Sequence, residues 1–334
     1  MTTSKGNPPA FGGSKVLFML SVMKISLRPT KRRSVLQLNQ EMPPAVHRSH
    51  LTRIIGLLML SCLLSACSAI KVVYNQSPQL AYWWLDDYLD FTNVQSPQVR
   101  TDLIRLQQWH QRTQLPGYAD LLQKVALLMP TQVSPTQVCS LLGEVQSKVG
   151  EIEAQVEPAI VTMALSLNAD QIHTLNNKYT KNNATWREDW IDSSDSAQAK
   201  KRYNQVLDRA KTLYGRITDT QKDLLHEYST NPRDNTRLGY GERIRRQQDT
   251  AQILEKIALE QPKPEQARAL VQGLFTRSLT SPDPVYRIYF DSLVQDGCAR
   301  FAQLHNTTSN EQRAFAVKRL QGYAHDAQDL AAMR

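Results

Sequence analysis

From Pro78 onward, apolar residues recur at helical spacing along nearly the whole chain. Val99, Leu103, Leu106 and Trp109 make one such stripe, and Leu121, Leu122, Val125 and Leu128 another. The longest passes through Val138, Leu141, Leu142, Val145, Val149, Ile152 and Val156, the pattern of a helix that turns one face to a core. The same periodicity and its polar breaks predict helices over 169–191, 197–214, 219–229, 236–260, 264–279, 282–305 and 309–331. Pro116, Pro130, Pro135, Pro232, Pro262 and Pro282 mark the joints, because a residue without an amide hydrogen starts or ends a helix more readily than it continues one. No segment alternates with the period of a strand. The expected fold class is therefore all-α, a multi-helix bundle of about eight to ten helices.

Four helix starts share one signature. Ser134-Pro-Thr-Gln137, Asn168-Ala-Asp-Gln171, Thr218-Asp-Thr-Gln221 and Ser309-Asn-Glu-Gln312 each place a capping oxygen three residues before a Gln. In such a box the first side chain accepts from the N3 amide and the Gln side chain reaches back to the cap amide. Two of them add an aliphatic residue in front, Leu167 and Ile217. These resemble the Leu-Thr-x-x-Gln signature of Spy-like periplasmic chaperones, small helical proteins that cradle unfolded clients. Capping chemistry alone yields the same residues.

Upstream of the helical region, Arg53 precedes an apolar run from Ile54 to Leu64, which closes in Leu64-Ser65-Ala66-Cys67. A basic start, an apolar core and small residues before the cut make a secretory signal. The Cys directly after Leu-Ser-Ala resembles the lipobox of bacterial lipoproteins. That resemblance implies diacylglyceryl transfer to the Cys67 thiol and cleavage between Ala66 and Cys67. Ile54 to Leu64 is shorter than the roughly 20 apolar residues that a spanning helix needs. Two or three acyl chains anchor a protein stably where one does not. The expected organisation is 1–41 as a disordered extension or a translation start set too far upstream, 42–66 as the signal peptide, and 67–334 as a periplasmic helical domain. The apolar patch from Val16 to Val22 leaves open a second signal or anchor.

The boundary changes the charge. The whole chain has 40 Lys and Arg against 31 Asp and Glu, but nine of the former and one of the latter lie in residues 1–66. The remainder, 31 against 30, is nearly neutral, which removes the case for nucleic acid. With Cys62 in the signal and Cys67 under lipid, Cys139 and Cys298 are the only thiols left, in a compartment that permits a disulfide between them. Two buried thiols that never meet are the alternative reading.

Past the lipid site stand Val73-Tyr-Asn-Gln-Ser-Pro78 and Ala81-Tyr-Trp-Trp-Leu-Asp-Asp-Tyr-Leu-Asp-Phe91, then the stretch from Trp109 to Leu122, and later Gly241-Glu-Arg-Ile-Arg-Arg-Gln-Gln248. Together they are similar to a family of uncharacterised outer-membrane lipoproteins of Gram-negative bacteria. The resemblance implies a lipid-anchored helical body in the periplasm and brings no catalytic residues. Tyr82, Trp83, Trp84, Tyr88 and Phe91 suit either a membrane interface or a core, and they do not all share one helix face. The acids among them, Asp86, Asp87 and Asp90, are expected on the wet side.

The histidines past the signal, His110, His173, His226, His305 and His325, form no metal-ligand spacing, and no nucleophile motif or phosphate-cradling loop occurs. Glu188, Asp189 and Asp192 flank Trp186 and Trp190, an arrangement more typical of a solvated edge above buried rings than of a carboxylate pair for sugar hydrolysis. Arg243, Arg245 and Arg246 form the densest basic patch, suited to an anionic partner or to pairing with Glu242 and Asp249. The sequence thus favours a non-enzymatic, lipid-anchored lipoprotein of the outer membrane, without metal or cofactor. Its body would bind or scaffold an unknown periplasmic protein or envelope component. An enzyme or enzyme accessory acting on envelope polymers is the alternative.

Overall fold

The computed structural model describes residues 66–230 and 235–333, with 66–69 described as backbone only. The expectations for 1–41, for 42–65 and for Pro232 therefore lie outside the described residues. Within them the chain is all-helical: α1 (Ala66–Asn75), α2 (Ser77–Leu89), α3 (Gln95–Thr113), α4 (Leu115–Leu128), α5 (Pro135–Ser166), α6 (Ala169–Trp190), α7 (Asp195–Tyr214), α8 (Asp219–Thr230), α9 (Thr236–Glu260), α10 (Pro264–Leu279), α11 (Pro284–Asn306) and α12 (Asn310–Ala332). Twelve described helices exceed the expected eight to ten. The excess lies in α1 and α2, ahead of the stripes read from the sequence. Gln76 divides α1 from α2 and Gln114 divides α3 from α4, both with right-handed backbone angles (φ −88°, ψ −1° and φ −99°, ψ −42°). Pro78 and Pro116 open the helices that follow. The joint at Pro116 is the one expected, whereas at Gln76 the chain stays helical through the break and the apolar stripe gives no sign of it.

The four boxed starts all form, with Ser134, Asn168, Thr218 and Ser309 each accepting from the amide of the Gln three residues on. A fifth, Thr92-Asn-Val-Gln95, obeys the same rule and begins α3, with Gln95 N 3.3 Å from Thr92 Oγ1 and Thr92 N 3.0 Å from Gln95 Oε1. Four of these glutamines meet in two buried pairs. Gln95 and Gln171 exchange amide hydrogen bonds of 3.1 and 2.8 Å, and Gln221 and Gln312 exchange bonds of 2.9 and 2.8 Å. The residues just before the four caps, Phe91, Leu167, Ile217 and Thr308, are all buried, so each loop is pinned by an inward side chain as well as by its Gln.

Two cores flank these pairs. Tyr82, Leu89, Phe91, Val161, Leu167, Ile172, Leu175, Leu254, Ile257 and Val271 pack α2, α5, α6, α9 and α10 together. Met129, Ala210, Tyr214, Ile217, Leu225, Leu304, Ala316 and Leu320 join α7, α8, α11 and α12 to the end of α4. Between α4 and α12, Ala119, Ala324 and Ala327 are buried, small side chains that let the two helix backbones approach closely. Cys139 on α5 and Cys298 on α11 form a disulfide with Cα atoms 5.5 Å apart, across a sequence separation of 159.

Candidate functional site

α1, which begins at Ala66 and contains the backbone of Cys67, is fastened to the rest of the fold. Lys71 pairs with Asp326, 3.5 Å away, and with Asp329, both on α12. Tyr74 Oη lies 3.0 Å from His110 Nδ1 on α3, and Gln107 Nε2 donates back to the Tyr74 carbonyl at 2.7 Å. Gln111 Nε2 donates to the carbonyls of Leu330 and Met333, tying α3 to the end of α12 as well. Burial between Tyr74 and Tyr118, whose rings lie 5.9 and 5.6 Å away, pulls the His110 imidazole down to about 4.

The aromatic segment divides as its spacing implies. Tyr82 and Phe91 enter the first core, whereas Trp83 and Trp84 remain 57% and 50% exposed on α2. The acids beside them hold the end of that helix. Asp86 accepts from the Phe91 amide at 3.0 Å, Asp87 pairs with Lys178, and Asp90 takes a left-handed backbone (φ 47°) that closes the helix. Arg100 on α3 lays its guanidinium 3.4 Å from the Tyr82 ring centroid and donates from Nη1 to Gln79 Oε1 at 2.7 Å. It borders a cleft of about 260 Å³ between the α1–α2 elbow and α3, lined also by Asn75, Pro78, Gln79, Ile104 and Gln107.

The arginines of α9 turn inward. Buried Glu242 accepts from Arg245 (2.8 and 2.9 Å), from Arg246 Nε (2.6 Å) and from the Ser281 hydroxyl (2.9 Å). Burial pushes its carboxyl up, but these three donors outweigh that and hold it below the usual range. Asp249 extends the network to Arg277 at 2.8 and 2.9 Å. Arg243 is half-buried and donates from Nε to Asn183 Oδ1 at 2.8 Å, among Tyr88, Tyr179 and Tyr240. The three guanidinium groups therefore have partners from α6, α9 and the end of α10.

Elsewhere the polar groups also hold the fold. His305 is fully buried, with Nδ1 2.9 Å from Tyr214 Oη and Nε2 2.8 Å from the Thr131 carbonyl. The carbonyl must accept, so Nε2 carries the proton and the tyrosine donates to Nδ1. Burial lowers the affinity of this imidazole for a second proton. Glu188, Asp189 and Asp192 are exposed, above buried Trp186 and Trp190; Asp189 pairs with Lys201 and Asp192 with Arg187. Among the described residues, no group of three or more His, Cys, Asp or Glu is placed to hold a metal ion, and no helix is long and apolar enough to cross a membrane.

The fifth capping box at Thr92 and the cleft at Arg100 escaped sequence reasoning. The first was open to the Thr-x-x-Gln rule already in use. The second had no signal, because Arg100 meets Asn75 and Gln79 only through the fold. No curated protein and no solved structure matches the chain. Residues 87–280, from the second turn of α2's aromatic segment to the end of α10, match DUF6279, a family of unknown function. That stretch is more than half of the 334 residues, and the chain belongs to that family.

Proposed function

We propose that this is a lipid-anchored lipoprotein of the cell envelope, acylated at Cys67 and held at the outer membrane with its body in the periplasm. The helical body has a non-catalytic role: it binds or scaffolds another periplasmic protein or envelope component. The observation that carries the reading is Leu64-Ser65-Ala66-Cys67 in the sequence, followed at once by a helix fastened to the body through Lys71 and Tyr74. A lipid on Cys67 would thus hold the body close to the bilayer, with no long tether between. The disulfide of Cys139 with Cys298 is consistent with an oxidising compartment. Labelled palmitate is expected to enter the native protein and not a Cys67→Ser variant, and crosslinking in intact cells is expected to capture an envelope partner. The reading fails if the native protein takes up no palmitate, or if the Cys67→Ser variant is cleaved and still pellets with the membranes.

A second reading, a Spy-like chaperone, rests on the Leu-Thr-x-x-Gln resemblance at Leu167-Asn-Ala-Asp-Gln171 and Ile217-Thr-Asp-Thr-Gln221. Suppression of the aggregation of a chemically unfolded client at stoichiometric ratio would support it, and unaltered aggregation would end it.

A further inference from the structure

We propose that the cleft between the α1–α2 elbow and α3 binds the phosphate of an anionic phospholipid headgroup, through Arg100. Gln79 holds one guanidinium nitrogen at 2.7 Å and the Tyr82 ring supports its face at 3.4 Å, which fixes the direction of the remaining N–H donors. Unlike Arg245, Arg246, Arg277 and Arg300, each paired with a carboxylate, Arg100 pairs with no carboxylate among the described residues. The other cleft walls are neutral: Asn75, Gln79 and Gln107 offer amides, and Pro78 and Ile104 offer apolar surface. A planar guanidinium with free donors beside neutral amides suits a phosphate, which it engages bidentately, better than a sugar or a cation.

The surroundings identify the source of that phosphate. Ile104 lines the cleft and is 46% exposed, and Val72 and Trp83, 59% and 57% exposed, lie on the two helices that form its other wall. The helical backbone continues through Gln76, with Gln76 N bonded to the Val72 carbonyl at 3.1 Å and Leu80 N to the Gln76 carbonyl at 3.0 Å. Val72 stands three residues before Asn75 on α1 and Trp83 four after Gln79 on α2, so each adjoins a cleft residue on its own helix. An apolar edge with an indole beside an uncompensated arginine fits the boundary of a bilayer, where rings sit at headgroup depth and cations meet lipid phosphates. This inference draws on the lipid-anchor reading for the nearness of the bilayer, and for nothing else.

The test uses the intact protein in an uncharged detergent, so it can be read whether or not Cys67 is acylated, and palmitate labelling judges the anchor separately. Tryptophan emission is followed during titration with dihexanoyl phosphatidylglycerol, dihexanoyl phosphatidylcholine and inorganic phosphate. Phosphatidylglycerol is expected to bind at least tenfold more tightly than either of the others. Arg100→Gln should weaken that binding at least tenfold, and so should Asn75→Asp, which supplies an internal counter-ion at an exposed position and leaves the arginine in place. If Arg100→Gln does not fold, Asn75→Asp decides alone. Parent-like binding by a folded variant, or phosphatidylcholine matching phosphatidylglycerol, overturns the site. Inorganic phosphate matching phosphatidylglycerol overturns the lipid as its ligand.

Discussion

Gln171→Glu is nearly isosteric, yet it should be among the most damaging single changes in the molecule. The Gln171 side-chain nitrogen donates to the Leu89 carbonyl at 3.0 Å, to the Asp90 carbonyl at 3.2 Å and to Gln95 Oε1 at 2.8 Å, in a buried setting. A carboxylate oxygen in its place faces three acceptors and offers no donor. A buried acceptor left without its partner costs about 1 to 3 kcal/mol. Protonation of the new carboxyl restores at most one of the bonds, so the expected loss at neutral pH is about 3 to 5 kcal/mol. The new carboxyl would have a folded-state affinity for protons raised above its unfolded value. The part of its penalty that comes from ionisation is therefore absent below the unfolded range and grows as pH rises from there to the folded one, while the lost donor costs stability at any pH. Gln137→Glu is the control, because Gln137 sits in the same kind of box with Ser134 but is exposed and faces no second glutamine. There the carboxylate keeps the acceptor role and meets the positive end of α5, so the change should stay within about 0.5 kcal/mol. Urea unfolding at pH 7 and pH 5 reads both variants. A loss below about 1 kcal/mol for Gln171→Glu, or equal losses at the two positions, would refute the reasoning.

Three further outcomes are expected. Reducing the bridge, or Cys139→Ser with Cys298→Ser, should lower stability by up to about 5 kcal/mol on the loop-entropy account of a 159-residue separation, read from the shift in urea midpoint with and without reductant. Acid should destabilise the fold through His110: with its folded value drawn down to about 4 from 6.5, the contribution is full above pH 6.5 and is lost as pH falls toward 4, about 3 kcal/mol at most, and a folded His110→Gln variant should show a flatter profile. Glu242→Gln should cost about 3 kcal/mol or more, because it leaves Arg245 and Arg246 half-buried without the carboxylate that both share; a thermal midpoint within a degree of the parent would contradict this.

Much of the fold was legible because the signals were local. The ranges expected for 236–260 and 264–279 are those observed for α9 and α10, bounded by an Asn cap at one end and a proline at the other. What periodicity left hidden was the break at Gln76, where the backbone never leaves the helical region, and a long helix that continues through an internal proline. Pro158 lies inside α5, where it removes the amide that would bond the Ala154 carbonyl and crowds that carbonyl with its ring, a cost that packing of Val161 and Ala164 into the first core offsets. The basic patch was legible in part: pairing with Glu242 and Asp249 follows from spacing along one helix, but only the fold sets Ser281 and Asn183 against that helix. The same is true of Arg100, whose neighbours come from a turn of chain about twenty residues earlier.

The glutamine pairs show a regularity that no single box contains. Gln95 donates to the Ser166 carbonyl, two residues before the Asn168 cap, and Gln171 donates in return to the Asp90 carbonyl, two residues before Thr92. Gln312 donates to the Arg216 carbonyl, two residues before the Thr218 cap, and Gln221 to the Thr307 carbonyl, two residues before Ser309. The junction of α2 with α3 thus faces that of α5 with α6 as the junction of α7 with α8 faces that of α11 with α12. An apolar contact would tolerate a slip of one helix along another, whereas a side-chain amide with every donor and acceptor matched does not. Each core therefore has its own polar lock on register, and neither lock has capacity left for a ligand. The fold also takes up His305 and Glu242 internally, so chemistry directed outward must come from the surface, and the α1–α3 edge offers the exposed Trp83 indole and an arginine that no carboxylate among the described residues neutralises.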